Sequence, residues 1–477
     1  MINLLDPRNR IQVLDEINTN DNKKRKNISL AEFEVYQDDL MKYVKRYLRG
    51  LYSEKTIEEM PVIATVNLAK RAVNQEASIY KTPPKRTFVN VTPEQEIVLN
   101  QVYQDLAIDV KLLKSNRYFK LQGQNHIQIL PFQGKLMARV LLNHHLDVVP
   151  MLENPEIAEA YIVNGYDKSN QLNIDAESDG VNQAIGDQDD YKGTLQRFAV
   201  WSDVFNFIMD GRGNIVSGEA VENPLGLKPF VEVSPDKDFE YWVRRGQAVT
   251  DFTIQYNGAL TDLGHVVRMQ GFAQAYLKGP ENLIPENLQI GPNMIVRLVV
   301  DPNNPVDTEF GFANPNSDIQ GSIAFIEMLL SNFLTSRGLD PKLVSGKGES
   351  VSYASGIERL LAMFEKFDAS RSDLSTYEQA EKQIFKIVVR YLNVMAGSVL
   401  NYNVSPISED ADVIVEFQKP EMVQSESDKL DNIAKKKELG LISEVDAIQE
   451  YHGLDREQAE EKKAQIDQEM RAQLPVV

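Results

Sequence analysis

The chain has no cysteine. Disulfide staples and thiolate chemistry are therefore excluded, and a reducing compartment fits. No apolar run approaches the roughly 18 residues needed to span a bilayer. The opening residues, Met1 to Arg10, lack a signal-peptide layout. No G-x-x-x-x-G-K-[ST] loop occurs; Ser345-Gly-Lys-Gly-Glu-Ser350 has no glycine at the first position and no strand before it. Gly211-Arg-Gly213 lacks a third glycine, and neither H-E-x-x-H nor G-x-S-x-G is present. An ATP-driven motor, a dinucleotide site and the common hydrolase signatures are thus not expected.

Basic residues are also short. Lys and Arg number 51 against 70 Asp and Glu, a net charge of −19. Proteins that wrap nucleic acid usually carry the opposite balance, because phosphate neutralisation supplies most of their affinity. An acidic surface suits ordinary solubility, and equally a wall that DNA slides past without sticking.

At 477 residues the chain is too long for one core, and two or three structural units are expected. Leu30, Phe33, Val35, Tyr36, Leu40, Val44 and Leu48 predict a helix ending at Gly50. Val62, Val66, Ala69, Val73 and Ala77 predict a second helix over 61–79, stopped by Pro83-Pro84. A third is expected over 93–114. The texture then changes to strands: a hairpin around Gly123 from Tyr118 to Leu130, then 135–142, 158–162 and 197–209, with an Asp210-Gly211 turn into a further strand, Asn214-Ile-Val-Ser217. The acidic segment 173–190 reads as an exposed loop, which takes precedence over a cation site because it lacks EF-hand spacing.

From Lys237 a helical stripe runs through Phe239, Trp242, Val249, Phe252, Tyr256, Leu260, Leu263 and Val267, a helix of about 40 Å. Residues 270–316 read as a small β unit punctuated by Gly-Pro and Pro. Helix returns at Ser317. These two helices must lie side by side with the β unit at their tip, and so wide an apolar stripe seeks partners in neighbouring copies. Val413 to Phe417 is a strand candidate, and two charged helical segments follow from Ser425 and Ser443. His144, His145 and Asp147, with His126, were weighed as metal ligands. Adjacent strand residues point to opposite faces, so a polar edge is the reading adopted.

The most informative stretch lies between 326 and 393. The apolar helix Ile326 to Leu334 enters the loop Arg337-Gly-Leu-Asp-Pro-Lys-Leu-Val-Ser-Gly-Lys-Gly348, which carries Lys342, Lys347, Gly346 and Gly348. A small-residue knot, Ser350 to Gly356, opens a helix with no Pro or Gly to about Asn393. In this order of parts the chain resembles the portal proteins, or head–tail connectors, of tailed bacteriophages. Asn223-Pro-Leu-Gly-Leu-Lys-Pro229 and Tyr353-Ala-Ser-Gly-Ile357 resemble recurring phrases of that family.

The resemblance implies an α+β subunit that assembles into a ring, commonly of twelve copies, at one capsid vertex. It implies an α/β wing over 1–237, a stem helix over 238–266, a clip over 267–316 and a second, rather short stem helix over 317–337. A tunnel loop over 338–353, a long wing helix with a return strand over 354–420, and a helical crown over 421–477 complete it. In that picture Lys342, Lys347, Gly346 and Gly348 face double-stranded DNA and touch its phosphates without reading bases. Implied partners are the terminase large subunit, head–tail adaptor or tail proteins, and the major capsid and scaffold proteins. The implied location is the virion, after assembly in the host cytoplasm. No membrane contact, cofactor, metal or catalysis is implied, because the ATPase belongs to the partner motor. The competing classes are another virion or scaffold component and an acidic cytosolic hydrolase.

Overall fold

A computed structural model describes residues 3–164, 197–216, 220–243, 249–271, 274–278, 309–313, 318–339, 356–417, 426–438, 442–452 and 456–472. The chain divides into two compact units, Met1–Phe417 and Gln418–Val477. Both helices and antiparallel sheets contribute, so the fold is mixed α and β.

Helix α1 (Pro7–Ile17) starts on a proline behind an Asp6 cap. Helices α2 (Asn20–Tyr36), α3 (Met41–Arg49), α4 (Glu54–Glu59) and α5 (Leu68–Glu76) follow. The expected single helix ending at Gly50 is therefore two. It breaks at Asp38, whose φ is +74°, because Asn67 and Lys70 bind the Asp38 carboxylate from α5. The helix expected over 61–79 shrinks to α5. Asn67 caps it by accepting the Lys70 N–H at 2.9 Å, and also donates to the Val35 carbonyl at 2.7 Å.

Strand β1 (Lys85–Val89) precedes α6 (Pro93–Asp105), which opens with a reciprocal Thr92–Gln95 capping box. The run expected over 93–114 breaks at Ala107, which is left-handed with φ +48°. Helix α7 (Ile108–Gln122) then continues through the residues expected to form a hairpin arm. That expectation failed because Tyr118, Phe119, Leu121 and Gln122 are all buried, which hides the helical period. Gly123, at φ +75°, ends α7 in a conformation costly for any residue with a Cβ.

Strands β2 (Asn125–Phe132), β3 (Lys135–Leu141), β4 (Leu146–Pro150), β5 (Ala158–Asn164), β6 (Arg197–Trp201), β7 (Phe205–Asp210), β8 (Val221–Glu222) and β9 (Phe230–Val233) form two sheets. Their orders are β3-β2-β9 and β4-β5-β6-β7-β8. The run 197–209 is thus two strands, turned where the Ser202 N–H reaches the Phe205 carbonyl at 3.0 Å. After the Asp-Gly turn only an isolated bridge, Met209 to Ile215, remains of the expected second strand.

Helix α8 (Val249–Gly271) begins about twelve residues later than its stripe predicts and is about 35 Å long. Phe239, Tyr241 and Trp242 lie outside it, in an irregular segment where Phe239 has φ +59°. Strands β10 (Gln274–Lys278) and β11 (Glu309–Ala313) pair antiparallel. Helix α9 (Ile319–Ser336), the 40-residue α10 (Gly356–Met395) and strand β12 (Asp412–Glu416), paired with β1, complete the first unit. Its main core is built from α2, α5, α6, α7, β2, β3, β9 and the C-terminal half of α10. A second core lies between α1 and one face of the five-stranded sheet. The second unit holds α11 (Glu426–Glu438), α12 (Glu444–His452) and α13 (Arg456–Ala472).

Candidate functional site

Helices α8 and α9 form a two-helix stalk. Phe252, near the start of α8, stacks on Phe333, near the end of α9, with centroids 3.8 Å apart and planes within 5°. The helices therefore run in opposite directions, as the antiparallel β10–β11 pair between them requires.

One face of α8 is polar although it is buried. Thr253, Asn257 and Thr261, four residues apart, have no exposed surface. Asn257 and Thr261 serve as a ladder for the extended segment 61–66, while Thr253 bonds back to the Val249 carbonyl of its own helix at 2.8 Å. Asn257 accepts the Val66 N–H at 3.2 Å and donates to the Val66 carbonyl at 2.8 Å. Thr261 accepts the Ile63 N–H at 2.9 Å. These bonds hold 61–66 out of the helix that its apolar spacing suggests, because its backbone groups are satisfied by α8 instead. Gly258 makes the approach possible on the adjoining face: a Cβ there would lie 2.7 Å from the Tyr47 ring. Tyr52 donates to Asp262 at 3.0 Å, and burial raises the Asp262 pKa. The sequence signal for this ladder was a row of small polar residues at helical spacing.

Helix α9 buries Ile326, Leu330 and Leu334, again four apart. Its other side leaves Phe325 55%, Met328 50% and Leu329 38% exposed, and Val267 of α8 is 48% exposed. An apolar stripe on a stalk is not expected to face water in isolation.

The end of α9 anchors the start of the candidate loop. Gly338 turns with φ +66°, and the Leu339 N–H reaches back to the Leu334 carbonyl at 2.9 Å. Arg337 grips Glu76 of α5 through two bonds of 2.7 and 3.0 Å, and Leu339 is buried. The expected site residues Lys342, Lys347, Gly346 and Gly348 lie outside the described residues, as do the acidic segment 173–190 and all of 279–308.

Beyond the loop, α10 is fixed by Glu381. This fully buried carboxylate receives Arg86 at 2.9 and 2.6 Å and the Tyr80 hydroxyl at 3.1 Å, while Asp109 holds the other side of Arg86 at 2.8 Å. Burial opposes the Arg86 charge, but Glu381 and Asp109 outweigh it and raise its pKa. Burial, then Glu381, pushes Tyr80 well up. Arg390 of α10 donates to the Leu225 carbonyl at 2.6 Å. The Asn223-to-Pro229 phrase is a turn held from inside: Asn223 donates to the Ser202 and Leu227 carbonyls at 2.8 Å each. Glu381 and Arg390 were not singled out from sequence; Asn223 was, as the first residue of that phrase, without its role as a donor.

The histidine cluster separates. Asp147 is taken by Arg25 at 2.8 Å, by Lys26 and by Asn22 at 2.8 Å, so it has no role for a metal. Arg25 also lies 3.8 Å over Trp242, and burial lowers its pKa to about 10. His126 faces the Tyr241 hydroxyl at 2.6 Å. His145 Nδ1 accepts the Leu142 N–H at 3.0 Å, which places its proton on Nε2. Ser29 gives its hydroxyl proton to Gln122, so His144 Nδ1 donates to Ser29 Oγ. Burial lowers all three histidines, His126 and His144 to about 3 and His145 to about 4. Among the described residues no group of three or more His, Asp or Glu is placed to hold a metal. Among them, too, no helix is long and apolar enough to cross a membrane.

No protein-family model matches the chain, and no curated protein matches it. Among solved structures it is similar to a chain of one described as the virion of a native gene transfer agent (GTA) particle. Identity is 10% and the TM-score 0.40, over 80% of this chain and 86% of that one. A likeness of that strength does not bear on function.

Proposed function

We propose that this chain is a portal subunit, which joins with copies of itself in a ring at one capsid vertex. The ring is the channel through which DNA enters and leaves. It also receives the terminase motor and later the adaptor or tail proteins. The observation that carries the reading is the α8–α9 stalk: two antiparallel helices joined through a small β pair, with Phe325, Met328 and Leu329 left uncovered. Packing of each stalk on its neighbour covers that stripe and gives a closed ring if the rotation between copies closes. The sequence between α9 and the long α10, with its glycines and lysines, supports the same reading. In it, Lys342 and Lys347 form two rings of positive charge in an otherwise acidic channel.

Negative-stain microscopy of the purified protein tests the proposal. Rings with an axial hole are expected. A stable monomer at micromolar concentration by light scattering would sink it.

A further inference from the structure

Helix α7 buries Leu112, Ser115, Asn116 and Phe119 in the main core, which fixes its orientation. Lys111, Lys114 and Arg117 stand at three-residue intervals, on neighbouring positions of the helix surface. Lys81, from the segment after α5, lies close enough to Arg117 for their charges to interact. Lys114 and Lys81 are exposed, and Lys111 and Arg117 are half-buried.

Several cations of this unit are neutralised: Arg25 and Lys26 by Asp147, Arg86 by Glu381, Lys120 by Asp373. Among the described residues no carboxylate forms an ion pair with Lys81, Lys111, Lys114 or Arg117. Lys114 lies over the face of Tyr118, at 5.3 Å. Burial and the neighbouring cation both disfavour the charge, on Lys81 through Arg117 and on Lys114 through Lys111. A chain of net charge −19 thus holds, on α7 and in the segment beside it, four cations that no carboxylate among the described residues pairs with.

We propose that Lys111, Lys114 and Arg117 of α7, with Lys81 beside them, form a docking surface for a short acidic peptide segment of a partner protein. Charge complementarity sets the chemistry, and length selects the class of partner. From Lys111 to Arg117 the row is about 9 Å long at the α-helical rise. An extended peptide brings same-side carboxylates about every 7 Å, so two or three cover it. Duplex DNA continues far beyond such a row, and its remaining phosphates would be repelled by a chain of net charge −19. The proposal stands independently of the ring reading.

Fluorescence anisotropy of a labelled hexaglutamate peptide with the full-length protein at low salt tests it. Saturable binding is expected, weakened about tenfold in K111Q/K114Q/R117Q, as three modest charge contacts would give. Circular dichroism checks that the variant folds. Should Arg117 prove necessary for folding, K81Q/K111Q/K114Q replaces it and is expected to weaken binding similarly. The proposal is overturned if the folded wild type does not bind the peptide or the folded variants bind it equally well. It is also overturned if a short duplex DNA binds more tightly than the peptide and loses affinity in the same variants, which assigns the row to nucleic acid.

Discussion

Arg86 and Glu381 lie 295 residues apart in sequence and meet through two parallel hydrogen bonds of 2.9 and 2.6 Å. The pair joins β1 to the middle of the long helix α10 inside the main core. A buried pair of this kind is costly to break from one side, because the remaining charge is stranded. Glu381→Ala is expected to lower stability by about 3 kcal/mol. The measure is the urea midpoint. An unchanged midpoint would show that Asp109 alone satisfies Arg86.

Asn257→Ala removes both bonds to Val66 and leaves its half-buried N–H without a partner, while its carbonyl keeps only the Leu68 N–H at 3.2 Å. A loss of about 2 kcal/mol is expected. Amide exchange at Val66 should accelerate more than exchange in the main core. Uniform acceleration would mean that the ladder is not a local device.

The three buried histidines give stability a pH slope. Each has a folded pKa of about 3 or 4, against an ordinary value of 6.5. Below pH 6.5 the unfolded chain takes up protons that the folded one refuses. Stability is therefore fully present above pH 6.5 and declines as pH falls toward about 4, by up to about 1.4 kcal/mol per pH unit per histidine. Denaturation midpoints across this range check it. The double variant H144Q/H145Q should have a shallower slope, and an identical slope would refute the assignment.

Phe325→Asp places a charge on the uncovered side of α9. Since Phe325 is 55% exposed, the subunit fold should survive. Each copy in a ring would lose about 2 kcal/mol of apolar burial, and rings should fall apart to monomers. Sedimentation velocity distinguishes the two states. Intact rings would place the subunit contact elsewhere.

Replacing Lys342 and Lys347 by alanine should leave rings intact while changing how much DNA is packaged or retained. Each exposed contact is worth well under about 1 kcal/mol, weak enough for DNA to slide. A crosslinker at position 347 should reach DNA in filled heads. Labelling of that position from outside intact capsids, with no crosslink to DNA, would refute the channel assignment.

Much of the helical layout was legible in the sequence where one face alone is buried. Ile326, Leu330 and Leu334 announce α9, and a run without Pro or Gly announces α10. Alternation likewise marks β3, since its residues lie alternately in the core and toward water. The absent cysteine and phosphate loop were settled by reading alone, because they depend on which residues are present. Long-range partners decided the rest. Residues 61–66 carry a helical pattern yet lie extended, since Asn257 and Thr261 bind their backbone. Tyr118 to Gln122 mimic a strand because the last turn of α7, unlike its earlier turns, is buried on most sides and shows no period. Trp242 continues the stripe of α8 but lies outside its helix and packs on His126 and Arg25. The histidine and aspartate that looked like metal ligands became separate hydrogen-bond stations once α2 supplied Arg25, Lys26 and Ser29. Local spacing sets what a segment can form alone. The burial of polar groups far apart in sequence sets what it does form, because each must find a partner that spacing does not reveal.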